Sequence, residues 1–134
     1  MNRIPAYLLS ASVMAAATPA MAELRPAPDY FIGALIATEI AQAIAINCPV
    51  LSVNPQAAQK MSEDVMNWLA EDGFDEADPT AEMENPNDQL NALQARFMDK
   101  HQLAGAGADK VCAAGKAEMA DETDIGNLLV EVAQ

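Results

Sequence analysis

The chain has 134 residues, with seven basic against 20 acidic side chains and a formal charge of −13, a length that suits one domain behind a short leader. That charge balance excludes nucleic-acid binding through a basic face. Two cysteines, one histidine and, beyond the leader, only Ser52 and Ser62 as serines leave few residue types from which a catalytic centre could be assembled.

Residues 1–22 read as an export signal. Arg3 supplies the positive start, an alanine-rich apolar run continues to about Ala17, and small residues at Ala20 and Ala22 fit the A-x-A cleavage pattern. The run is short and alanine-rich for a membrane span, and no cysteine follows the cut to take a lipid. An uncleaved N-terminal anchor is the alternative. Cleavage after Ala22 leaves a single helical domain over 23–134, with six basic and 20 acidic residues, in the periplasm. Export places Cys48 and Cys112 where paired thiols persist, so one disulfide is expected, a regulatory or metal-binding thiol pair being the alternative. The spacing of the two excludes C-x-x-C redox chemistry and c-type haem attachment.

Residues 23–28, with Pro26 and Pro28, read as an extended lead-in. A first helix starts near Asp29. Its apolar residues Ile32, Leu35, Ile36, Ile40 and Ile44 recur at helical spacing among small alanines, and Glu39 is the one charged residue from Phe31 to Ile46. Such a helix is expected to be enclosed by others. A membrane span is the competing reading, but Thr38, Glu39 and Gln42 sit near its centre and no basic cluster flanks it.

Cys48 and Pro49 end this helix, and residues 50–53 form a short apolar link. Asn54 before Pro55 is a cap followed by proline at the first helical position. The second helix then runs to about Asp72, with Ala58, Met61, Val65, Trp68 and Leu69 on one face, Trp68 as a core anchor, and Gly73 at the C-terminal end. Asp78 with Pro79 and Asn85 with Pro86 repeat the cap signal. They predict a short helical turn from Pro79 and a third helix from Pro86 to about Leu103, with Leu90, Leu93 and Phe97 inward. Gly105 and Gly107 break it, and Asp109 caps a fourth helix to about Ala120 with Val111, Cys112, Gly115 and Met119 inward. Ile125, Leu128, Leu129 and Val132 at i, i+3, i+4 and i+7 predict a short closing helix. No stretch alternates with period two, so the expected architecture is a small all-α bundle of four to five helices stapled by one disulfide.

Residues 71–88 hold eight acidic side chains and no basic one: Glu71, Asp72, Asp75, Glu76, Asp78, Glu82, Glu84 and Asp88. The calcium-loop spacing fails here, because Phe74 falls at the third position from Asp72 and Pro79 at the fifth from Asp75. A solvated surface is the plain reading of these carboxylates, and a patch that docks a basic partner is the functional one. His101 lies in the last turn of the third helix, where it suits the unpaired carbonyls. As a base it lacks a nucleophile motif around Ser52 or Ser62, and as a haem ligand it would need a partner such as Met119. One histidine, two paired cysteines and unpatterned carboxylates predict no metal site, and no cofactor is expected. The shortage of aromatics argues against a sugar cleft.

The segments around the cysteines, Ile44-Ala45-Ile46-Asn47-Cys48-Pro49 and Val111-Cys112-Ala113-Ala114-Gly115-Lys116-Ala117-Glu118, with Ile125-Gly126-Asn127-Leu128-Leu129 downstream, resemble the family catalogued as domain of unknown function 5333. Such proteins are small, exported and alphaproteobacterial. The resemblance implies an exported helical domain in which Cys48 and Cys112 are paired, and it brings no catalytic residues. The chain departs from the family pattern at 71–88, where acidic residues replace more basic ones, so no partner carries over.

These readings together point to a periplasmic, non-enzymatic helical protein that binds or helps assemble another envelope component, for example a membrane respiratory complex. Neither nucleic acid nor stable membrane insertion after signal cleavage is expected. The runner-up is a carrier holding a lipid, quinone or haem in the bundle interior along Ile36, Ile40, Trp68, Leu93 and Phe97.

Overall fold

The structure, a computed structural model, describes residues 23–133; the expected export signal, 1–22, lies outside the described residues. In chain order it contains α1 (Asp29–Asn47), β1 (Leu51–Val53), α2 (Pro55–Glu71), a 3-10 turn (Pro79–Glu82), α3 (Asn87–His101), α4 (Ala108–Ala120), α5 (Asp124–Asn127) and β2 (Leu129–Glu131). The mostly helical class read from the sequence is the one observed.

Local chemistry sets most of the boundaries. Cys48 adopts an extended conformation before Pro49 and stops α1. The Asn54 side chain accepts hydrogen bonds from the backbone N–H of Gln56 and Ala57, at 3.1 and 3.2 Å, and so caps α2. Beyond α2, Gly73 takes φ +79°, and Phe74 N–H returns to the Leu69 carbonyl. Asp78 caps the 3-10 turn by accepting from Ala81 N–H.

Three expectations are corrected. The link at 50–53 is strand β1, and the closing helix ends at Asn127 so that β2 can pair with it, Leu51 opposite Glu131, Ser52 opposite Val130 and Val53 opposite Leu129. Three-residue strands are too short to display a period of two, and their backbone partners lie far apart in the sequence. Helix α3 ends at His101, close to the expected end near Leu103, and it is Gln102 in the left-handed conformation at φ 53°, ahead of Gly105, that stops it. That reversal bonds Leu103 N–H to the Met98 carbonyl and tucks the Leu103 side chain into the core. Asp109 does not cap α4; it sits in the first turn after Gly107, where its charge complements the helix N-terminus.

Helix α1 lies at the centre. Ile36, Ala37, Ile40, Ala41 and Ile44 pack in one cluster with Phe97, Leu103, Ala114, Leu128 and Leu129, drawn from α3, the turn after it, α4 and the C-terminal segment. A second, smaller cluster forms around Ile32, Val65, Leu69, Phe74 and Met83. The disulfide joins Cys48, at the end of α1, to Cys112 in α4, with Cα atoms 5.1 Å apart. Gly115 makes the adjoining approach possible. A Cβ there would lie 2.5 Å from Leu51 Cδ1 and 2.8 Å from Ile44 Cγ2.

Two outcomes follow. Replacing both cysteines by serine lowers unfolding stability by roughly 4 kcal/mol, the cost of releasing a long closed loop, measured by urea denaturation at constant slope. Gly115→Ala lowers it by about 1–3 kcal/mol, because the stiff Ile44 side chain must move, and the same titration reads that loss.

Candidate functional site

The acidic stretch has a defined shape, and four of its own members help hold it. Asp72 accepts the Tyr30 hydroxyl at 2.7 Å, and its carbonyl accepts the Arg25 guanidinium at 2.9 Å. Asp75 accepts Ala77 N–H, while its own N–H donates to the Glu82 carboxylate at 3.1 Å. Asp78 accepts from Thr80 and Ala81. Arg25 organises the inner side of the stretch. Its guanidinium lies 3.7 Å from the Phe74 ring centroid, and its backbone pairs with Glu82 and Glu84, both at 2.8 Å. The extended lead-in is therefore bonded to the acidic stretch. Burial, reinforced by the hydrogen bond to Asp72, pushes the Tyr30 hydroxyl up to about 12, so it stays a donor at neutral pH. Glu71, Glu76, Glu84 and Asp88 are exposed, and among the described residues their carboxylates enter no hydrogen bond or ion pair.

Beside this stretch a groove of about 490 Å³ opens between α1 and α2. Gly33, Ala34, Ala57, Met61 and Val65 line it, with Asp29, Asp64 and Asp124 as its carboxylates and Lys60 as its cation. Trp68 stands here, 45 % exposed, its ring edge-on to Tyr30 at 5.5 Å. The expectation that Trp68 anchors the core is thus corrected. Val65 and Leu69 take the inward direction of α2, and Trp68, between them in sequence, lines the groove.

The residue that sequence reasoning missed is Glu118, the one buried charged side chain among the described residues. It lies on α4 and accepts from Lys100 at 2.7 Å, from His101 Nε2 at 2.6 Å and from the Thr123 hydroxyl. Thr123 in turn accepts Gly126 N–H and caps α5. One carboxylate therefore ties α3, α4 and α5 together. Its burial, the largest influence, raises its affinity for a proton. The hydrogen bonds from Lys100, Thr123 and His101 outweigh that and hold it below the ordinary range, while Lys100 is raised by the same contact. Since an ionised carboxylate only accepts, His101 Nε2 carries the proton in this bond. His101 therefore meets Glu118 and the Phe97 ring rather than the helix-end carbonyls. A signal did exist: Glu118 follows Ala114 and Gly115 at i+4 and i+3, on the inward stripe of α4.

The five residues of the carrier reading are not brought to one cavity. Ile36, Ile40 and Phe97 are packed in the main core, Leu93 is half-buried against it, and Trp68 is in the groove. Among the described residues no group of three or more histidine, cysteine or carboxylate side chains is placed to hold a metal ion.

The Glu118 contact should show in pH dependence. Its carboxyl is depressed relative to the unfolded chain, so the stabilisation is complete above about 4.5 and is lost as pH falls through the lower folded value. Lys100 is raised, so its share holds below about 10.5 and is lost as pH rises through the higher folded value. Glu118→Gln is expected to cost about 2 kcal/mol at neutral pH and to flatten the acid limb of a stability profile measured by urea denaturation.

Residues 26–130 match a family model described as a family of unknown function, DUF5333. Comparison with curated proteins and with solved structures gave no match. The matched region holds the Cys48–Cys112 bridge and all five helices in full, and with most of its length inside that match the chain belongs to the DUF5333 family.

Proposed function

We propose that the protein is a non-enzymatic accessory or assembly factor of the bacterial envelope that docks a basic region of another envelope component through its acidic surface. The observation that carries this reading is the build of the 71–88 segment. Asp72, Asp75, Asp78 and Glu82 are spent on internal hydrogen bonds, which fixes the backbone, while Glu71, Glu76, Glu84 and Asp88 project free charge. An anionic surface of fixed shape loses little conformational entropy on binding, and its field speeds encounter with a cationic partner.

The periplasm is the compartment that suits a disulfide-bonded domain behind a leader of signal-peptide pattern. A membrane respiratory complex exposing a basic periplasmic face is one component of the required kind. The non-enzymatic part of the reading is supported by how the reactive residue types are used. His101 is bonded to Glu118, Ser52 sits in the strand pair, and both cysteines are oxidised.

Affinity purification of the tagged protein from its native envelope at low salt is the test. A stoichiometric protein partner is expected, released as ionic strength rises and the Debye length shortens. The combined variant Glu71→Gln, Glu76→Gln, Glu84→Gln and Asp88→Asn should weaken that association with little change in stability, since exposed charges contribute little to folding. Recovery of the chain alone, or hydrolytic or redox turnover by the purified protein, would remove the proposal.

A further inference from the structure

We infer that the groove between α1 and α2 receives an arginine-bearing amphipathic segment of a partner protein, with its apolar side chains on the groove floor and its guanidinium against Trp68. This rests on the basic-partner reading above and assigns that partner a second, more specific contact.

Three features of the groove combine to select the occupant. Its floor is apolar, made by Gly33 and Ala34 of α1 and Ala57, Met61 and Val65 of α2, and a Cβ added at Gly33 would meet nothing within 4 Å, so there is room for a guest. Its aromatic wall is partly bare. Trp68 is a large apolar ring left 45 % exposed, and Tyr30 is locked beneath it by its hydrogen bond to Asp72, so the indole is braced before anything binds. Its remaining polar groups are chiefly anionic. Asp64 is already paired with Lys60 at 2.7 Å, whereas the exposed Asp29 and Asp124 enter no ion pair among the described residues.

An anionic or zwitterionic guest would meet uncompensated carboxylates, and a purely apolar one would leave Asp29 and Asp124 to be desolvated without a partner. A guanidinium suits both surfaces. It stacks on an indole face and donates to carboxylates, while the leucine-like residues beside it on an amphipathic segment cover Ala34, Ala57 and Met61. The strong negative charge of the whole chain favours approach of such a segment.

The chain has a single tryptophan, and it lines this groove, so its fluorescence serves as the readout. The probe is a synthetic, end-blocked amphipathic helix of about 14 residues made of leucine, alanine and arginine. It is compared with versions carrying glutamate for arginine or serine for leucine, and with tetramethylammonium. The expected result is a saturable change of Trp68 emission with the arginine–leucine peptide alone, weakening as salt is raised. Affinity should fall about fivefold in Asp29→Asn with Asp124→Asn, and stay within about twofold in a 71–88 variant limited to Glu76→Gln, Glu84→Gln and Asp88→Asn, none of which lines the groove. Both variants change exposed residues, and circular dichroism verifies their fold.

Absence of a saturable response overturns the inference. So does an equal response to the serine peptide, which would mean charge without a groove, or to tetramethylammonium, which would mean a small-cation site. If Asp29→Asn with Asp124→Asn leaves peptide binding unchanged while the 71–88 variant loses it, the groove assignment fails and the broader docking proposal stands. If peptide binding behaves as expected but no envelope protein is retained at low salt, the broader proposal fails by itself.

Discussion

Between Phe31 and Ile46 the chain carries one charged side chain, Glu39, and enclosing that helix is the constraint on which the other elements depend. A helix so poor in charge is stable in water only when neighbours cover most of its circumference. Here α2, α3, α4, α5 and β1 all pack against α1. Close approaches complete that cover. Gly115 lets α4 settle on Ile44 and Leu51, and Gly126 lets α5 lie flush on the backbone of α4 at Glu118 and Met119, where no Cβ would fit.

The disulfide and Glu118 complete this enclosure at two levels. Cys48 and Cys112 join α1 to α4 covalently, which restricts the unfolded chain. Glu118 acts in the folded state, collecting donors from two residues of α3 and from the cap of α5 on one carboxylate. A buried charge is costly unless its partners are complete, and among the described residues no buried side-chain polar atom lacks a hydrogen bond. The network therefore ties α3 and α5 to α4 by direction as well as by apolar contact.

Elsewhere the carboxylates have a different duty. At 71–88 they divide into those that shape the loop and those that face solvent, and Arg25 with Phe74 provides the cationic and apolar centre around which the loop is wrapped. The groove beside Trp68 adjoins this region through Tyr30, whose ring meets Trp68 and whose hydroxyl meets Asp72. Acidic loop and groove are thereby mechanically continuous, which suits a surface that meets one partner over an extended area.

Much of the fold was legible because its signals are local. Asn54 with Pro55, Cys48 with Pro49 and Asp78 with Pro79 each act on backbone groups within a few residues, so type and boundary can be read without knowing what packs nearby. The inward role of Gly115 was legible from its place on an otherwise small and apolar stripe. Trp68 was misread because a helical stripe specifies a direction and not a depth. Val65 and Leu69 on either side of Trp68 are covered, whereas Trp68 is left 45 % exposed beside Tyr30. The acidic stretch could be read as charge, yet which carboxylates are occupied depended on Arg25 and Tyr30, distant in sequence. By itself the sequence determined the four long helices, the pairing of the cysteines and the family. Only the tertiary structure decided the β1–β2 pair, the Glu118 network and the open groove, since each joins residues far apart in the chain, and short-range backbone preference carries no information about such meetings.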